Sequence, residues 1–216
     1  MVGDLTEFSC TTIDAPGHGE SSDGKRTLQQ CGDDIGETMP SGALVGYSMG
    51  ARMSLHTALQ RPDKVDKLVL VSGTAGIDDE VEREQRRLSD NTLADRIEAV
   101  GVSAFISEWL ANPMFAGLSA DSAQIDQRLL NSPEGLADSL RHAGTGTQTP
   151  LWDKLSDLSI PVLIVAGEHD KKFTQLAQRM HRAIPHSEIH IVERSGHTVH
   201  LENHAEFVRL LKYFLS

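Results

Sequence analysis

The chain has 216 residues with 39% hydrophobic content, enough for one well-buried domain and too little for two independent ones. Its formal net charge of -11 argues against nucleic acid or an anionic membrane surface as the main partner, and it makes any cluster of arginines informative. Two cysteines, Cys10 and Cys31, without CxxC spacing suggest neither a disulfide framework nor a zinc ribbon, and they fit a reducing, cytoplasmic setting. No apolar window reaches the length of a membrane helix, and the N-terminus lacks the basic and apolar regions of a signal peptide.

In chain order, Phe8 to Ile13 reads as a short strand running into the tight loop Asp14-Ala15-Pro16-Gly17-His18-Gly19-Glu20-Ser21. His18 is expected to bond local backbone rather than to act in chemistry. Thr27 to Met39 places Leu28, Cys31, Ile35 and Met39 on one helical face. Gly42 to Tyr47 is an apolar strand that passes into Gly46-Tyr47-Ser48-Met49-Gly50 and then a helix ending near Arg61-Pro62. Val65 to Ser72 is a nearly continuous apolar strand, as a parallel sheet covered on both faces requires.

From Ile77 to about Pro150 the character changes. Glu80 to Val100 is charged and helical in pattern, Val102 to Leu110 is amphipathic, and breaks follow at Asn112-Pro113, Gly117 and Asn131-Ser132-Pro133. An all-helical insertion between two strands is the economical reading, and such insertions sit over enzyme sites as lids. This divides the chain into a first core part (1–77), a helical lid (78–150) and a second core part (151–216). The alternation then resumes: strand at Pro161 to Ala166, helix at Phe173 to Ile184, strand at Ser187 to Glu193 and a closing helix at Ala205 to Leu215.

The chemistry lies just past the strand ends. Gly-x-Ser-x-Gly between a strand and a helix is a nucleophile elbow, and glycines at Gly46 and Gly50 are expected because the strand and helix pack too closely for side chains. Ser48 Oγ then stands clear of the sheet, and the Met49 N–H at the helix start faces any developing oxyanion. Asp170 and His197 also follow strands, and in a parallel sheet those ends share one edge. A serine needs an imidazole to take its proton, and the imidazole needs a carboxylate to fix its tautomer. Two plainer readings stand beside this one: Asp170 as the N-cap of the helix from Lys171, and His197 as a loop cap. His200 and His204 with His197 have no companion carboxylate or cysteine spacing for zinc, so no metal and no cofactor is expected.

These motifs resemble the α/β-hydrolase superfamily, whose chain order is serine, acid, histidine. A narrower resemblance is to the menaquinone-pathway lyases that form 2-succinyl-6-hydroxy-2,4-cyclohexadiene-1-carboxylate. It rests on Asp14 to Gly19, Gly46 to Arg52, Arg86-Arg87-Leu88-Ser89-Asp90, Trp109 to Phe115, Gly144 to Gln148 and Gly167 to Phe173. It implies an α/β-hydrolase fold, a mostly parallel sheet with helices on both faces and a helical lid. It also implies elimination of pyruvate from 2-succinyl-5-enolpyruvyl-6-hydroxy-3-cyclohexene-1-carboxylate, with Ser48, His197 and Asp170 removing a proton and no acyl-enzyme required. Arg52, Arg86 and Arg128 would bind the carboxylates of a small anionic substrate, Tyr47 would sit beside the nucleophile, and Trp109 and Phe115 would cover the ring. Arg86, flanked by Arg83 and Arg87, also reads as part of a solvated helix face.

One departure from the family pattern is that its earlier strands and His-Gly oxyanion loop are not present. The expectation is an N-terminally truncated sheet, with a strand missing between Phe8–Ile13 and Gly42–Tyr47 and coding sequence for it upstream of Met1. Two other functions stay open: a serine carboxylesterase of the same fold, which does not need the arginines, and a non-catalytic small-molecule-binding member.

Overall fold

The computed structural model describes residues 2–21, 24–119 and 121–216; Met1, where the expected truncation falls, lies outside them. Four parallel strands form one sheet in the order β1-β2-β3-β4, with β1 Gly42–Tyr47, β2 Val65–Val71, β3 Val162–Gly167 and β4 Ser187–Val192. All four agree with the predicted strands to within a residue or so, because long runs of Val, Leu and Ile satisfy a sheet buried on both sides. The period of two is visible in the packing. Leu68 and Leu70 of β2 and Val162, Ile164 and Ala166 of β3 face one core, while Val69, Val71, Leu163 and Val165 face the other. Each such fully buried aliphatic side chain contributes about 1.5–3 kcal/mol relative to an exposed one.

Helices supply both covers. Helix α1 (Leu28–Thr38) starts at Thr27, whose side chain caps the Gln30 N–H while Gln30 answers on the Thr27 N–H. Helix α2 (Met49–Gln60) joins β1 to β2. After β2 comes the helical insertion: α3 (Glu80–Leu110), broken at Gly101 where φ is 77°, then short α4 (Ile125–Arg128) and α5 (Pro133–Ala143). The predicted break between Val100 and Val102 is this glycine. Helix α6 (Lys171–Ala183) joins β3 to β4, and α7 (Val199–Glu202) and α8 (His204–Leu215) close the chain. On one side, Leu55, Ala177, Met180 and Leu155 pack against the sheet; on the other, Phe207, Leu210, Leu211 and Phe214 of α8 do so. No helix among the described residues is long and apolar enough to cross a membrane.

The expected first strand at Phe8 to Ile13 does not form. Phe8 packs on the α8 side, but Ser9 to Asp14 is exposed and pairs with no strand. β-branched residues favour extended backbone, yet a strand exists only as part of a ladder, and the outer edge of β1 carries none among the described residues. The expected gap between two strands is therefore absent, and β1 is an edge strand. The loop that follows behaves as anticipated at His18, whose Nδ1 lies 3.2 Å from the Pro16 carbonyl, and burial lowers its affinity for a proton. That loop touches the insertion through the Gly19 N–H, which donates to Asn131 Oδ1 at 3.0 Å.

Candidate active site

The turn after β1 is strained where the chemistry needs it. Ser48 has φ 51° and ψ -106°, an arrangement that non-glycine residues rarely adopt and that lifts its side chain off the sheet edge. A Cβ on Gly46 would overlap the Gly50 carbonyl and Ser54 Oγ, so only glycine fits there. The matching expectation for Gly50 is corrected: a Cβ there meets nothing within 4 Å. Met49 is the first residue of α2, and its N–H is one that a helix leaves without an internal acceptor.

Asp170 and His197 come to the same edge. His197 Nδ1 donates to Asp170 Oδ2 at 2.7 Å, and Ser48 Oγ lies 3.1 Å from His197 Nε2. An ionised carboxylate only accepts, so the proton sits on Nδ1 and Nε2 is left as acceptor for the serine hydroxyl. The two readings of Asp170 are both correct, since its oxygens divide the work. Oδ2 orients the imidazole, while Oδ1 accepts from the Phe173 N–H at 3.3 Å as the N-cap of α6. The plain reading of His197 as a loop cap gives way to these side-chain bonds.

The imidazole is 2% exposed and enclosed by aromatic rings: Phe173 at 4.5 Å between centroids, Tyr47 at 5.4 Å and Phe115 at 6.3 Å. Phe115 belongs to the insertion and is buried, and it continues into Trp109 at 5.7 Å and Phe105 at 5.8 Å beyond that. Phe115 therefore reaches the triad, while Trp109 stands one ring farther back. Tyr47 also packs on His200 at 4.5 Å, and burial holds its phenol neutral by raising its pKa.

The arginines are distributed differently from the triad. Arg52 is buried one turn beyond Ser48, and its Nη1 donates to the Ala143 carbonyl at 2.9 Å. Burial, with Arg86 adding to it, pulls its guanidinium down to about 10, which leaves it charged at neutral pH. Arg86 Nε pairs with buried Asp90 at 2.7 Å, and Asp90 also accepts from the Gly146 N–H at 3.2 Å. Arg128 Nε closes the short α4 on the Ala123 carbonyl at 2.8 Å, with its charge felt by Tyr47 and His200. A cavity of about 480 Å³ lies against the Asp170–His197 pair, lined by Met114, Gly117, His169 and Glu202 among others, and none of the three arginines lines it.

Four residues of the site carry no role in the sequence reading, although Asp90 and Phe173 lie in segments on which the resemblance rests. Ser72, at the end of β2, has its hydroxyl donating to the His197 carbonyl at 2.8 Å. Phe173, Asp90 and Glu202 complete the set. Only the position of Ser72 at a strand end could have drawn attention to it. His200 and His204 are engaged locally: the His204 ring contacts the His200 carbonyl and Asp4, and no group of metal-ligand geometry occurs among the described residues.

Comparison with known proteins agrees with this geometry. A synthase from Serratia proteamaculans named for 2-succinyl-6-hydroxy-2,4-cyclohexadiene-1-carboxylate is 32% identical, over 97% of this chain and 84% of its own length. A Bacillus subtilis protein that carries the same name provisionally is 38% identical, over 98% of this chain and 82% of its own. The solved structure of MenH from S. aureus superimposes with a TM-score of 0.84 at 36% identity, covering 94% of this chain and 82% of that one. Residues 3–210 match the model of the alpha/beta hydrolase family, and with the elbow, the strand-end triad and the parallel sheet in place, the chain belongs to that family.

Proposed function

We propose that the chain is a carbon–oxygen lyase of menaquinone biosynthesis, acting in the cytoplasm. It eliminates pyruvate from 2-succinyl-5-enolpyruvyl-6-hydroxy-3-cyclohexene-1-carboxylate and leaves 2-succinyl-6-hydroxy-2,4-cyclohexadiene-1-carboxylate. The relatives named for that product support the reading, and the observation that carries it is the continuous bond path Asp170, His197, Ser48 at 2.7 and 3.1 Å.

The reaction needs a base at a ring C–H and an exit for enolpyruvate. Ser48 passes its proton to His197 Nε2, and its oxygen takes the ring proton. The C2–H electrons form the C2=C3 bond, the C3=C4 pair moves to C4=C5, and the C5–O bond to the enolpyruvyl group breaks. The departing enolate takes on its CH2 carbon the proton held by His197 and becomes pyruvate. Asp170 stabilises the imidazolium formed in the first step. The Met49 N–H, free of an internal acceptor at the start of α2, supports the negative charge that develops.

The substrate carries several carboxylates, and in a chain of net charge -11 only fixed cations can hold them. Arg52 is the strongest of these, since it is buried, charged and one helical turn from Ser48. Arg86 and Arg128 complete the set, with residues 78–150 acting as a lid that brings Phe115 and Trp109 over the ring. No resident metal or cofactor is required. The test is pyruvate release from the enolpyruvyl substrate beside turnover of simple aryl esters. Release without ester turnover supports the lyase; ester turnover without release selects a carboxylesterase.

A further inference from the structure

His197 sits on a loop, Arg194 to Thr198, that is anchored at Ser195, whose carbonyl accepts from the His169 N–H, and at Thr198, whose carbonyl opens α7, and its ring is placed to within hydrogen-bond tolerance of two partners. Between those anchors a side chain holds the backbone on both sides of His197. Glu202, the last residue of α7, does so from both sides. Its Oε2 accepts from the Gly196 N–H at 2.7 Å, and its Oε1 accepts from the Thr198 N–H at 2.9 Å and the Thr198 hydroxyl at 2.6 Å. One planar carboxylate thus ties down the N–H groups of the residues on either side of the catalytic histidine. Ser72 Oγ adds a bond of its own, donating to the His197 carbonyl at 2.8 Å. Bonds to an ionised acceptor are shorter and about twice as strong as neutral ones, which suits a clamp on a loop.

The same carboxylate meets the insertion. A Cβ on Gly117 would overlap Glu202 Oε2, so the turn after Phe115 rests directly on the clamp, and a side chain there would have to push the carboxylate aside. Both Gly117 and Glu202 line the cavity beside the imidazole.

We propose that Glu202 is a positioning residue: its carboxylate fixes the His197 backbone so that Nε2 faces Ser48, and its contact with Gly117 joins that loop to the helical insertion. The proposal rests on the reading of Ser48, His197 and Asp170 as the proton-transfer path. Glutamine at this position keeps the shape but carries an NH₂ in place of one oxygen, so it meets one side of the loop donor to donor.

The experiment compares the parent with Glu202→Gln and Thr198→Val, the latter removing only one hydroxyl donor. Steady-state pyruvate release is measured together with the low-field proton NMR signal of the His197 Nδ1–H to Asp170 bond, assigned with His197→Gln. The expected result for Glu202→Gln is kcat lowered by up to about 100-fold, since small misplacements of a catalytic group cost that much. KM stays within about twofold, as for a loss confined to the transition state, and the Nδ1–H signal is broadened or lost. Thr198→Val moves both readouts the same way by less. A Glu202→Gln protein with parental kcat and parental signal overturns the proposal, as does activity lost only in step with the folded fraction while the signal persists. If Glu202→Gln does not fold, an unchanged kcat and signal in Thr198→Val overturn it instead. The signal needs no substrate: its loss in a chain that releases no pyruvate leaves the positioning role standing and removes the lyase, whereas parental pyruvate release with an unchanged signal does the reverse.

Discussion

At the sheet rim, Ser48, His197 and Asp170 bond to one another, and the imidazole is sealed by three rings. Across from it, the helical insertion is held by a small core around Ile97, Phe105 and Ile106 and by ion pairs at its surface, Arg96 with Glu108 and Arg141 with Asp95 and Glu98. The rim takes its precision from a rigid sheet whose strand ends coincide. The insertion meets the rim through Phe115 and Gly117 and meets the adjoining core through Ala143, which packs with Leu28, Cys31 and Met53 and accepts from Arg52, and through Ser139 on Met49. The bonded triad thus belongs to the sheet rim, while part of the aromatic wall around its imidazole comes from the insertion.

The sharpest way to break that contrast is at the imidazole. His197→Ala should lower kcat for pyruvate release by roughly 100- to 10,000-fold, the range for loss of a positioned general base, without disturbing the insertion as judged by its protection from amide exchange. Arg52→Lys comes next. It removes the bond to the Ala143 carbonyl, where the rim meets the insertion, and the planar fork available to a carboxylate, and kcat/KM should fall about 10- to 100-fold. Steady-state kinetics decide whether the loss lies in KM, as substrate binding requires.

Stability tests follow. Gly46→Ala forces a Cβ into the Gly50 carbonyl and should destabilise the fold by about 1–3 kcal/mol in urea unfolding, as overpacking does; the same substitution at Gly50, where the space is open, should cost less than at Gly46. A pH effect acts on stability as well. Burial holds His56 and His200 at about 4, below the ordinary histidine value of 6.5. The unfolded chain binds their protons first, so stability is full above pH 6.5 and declines as pH falls toward 4. His56→Gln should flatten that slope in urea titrations run across the window.

Much of this contrast was legible in the residues. The four strands announced themselves because a sheet covered on both faces demands unbroken apolar runs, and the elbow did so because Gly46 leaves no alternative. Phe8 to Ile13 misled because Thr and Ile report a preference for extended backbone and cannot report the absence of a neighbouring ladder. Gly50 misled for the related reason that a motif does not state which of its glycines is crowded. Ser72 acts through a partner 125 residues away, and of the two bonds Asp90 makes only the one to Arg86 is local; the other, from the Gly146 N–H, spans 56 residues and becomes visible only in the fold. Asp170 was read as a cap or as a catalytic carboxylate when its two oxygens allow both. The arginines were suggested by resemblance, but the partners that occupy Arg86 and Arg128, Asp90 and the Ala123 carbonyl, became visible only in the fold.

The central claim is that Ser48 is the group that takes the ring proton, and single-turnover pyruvate release by Ser48→Ala with enzyme in excess of the enolpyruvyl substrate tests it most directly. The account predicts a variant that still binds the substrate but releases pyruvate at a small fraction of the parental rate. Release by Ser48→Ala at the parental rate would contradict it.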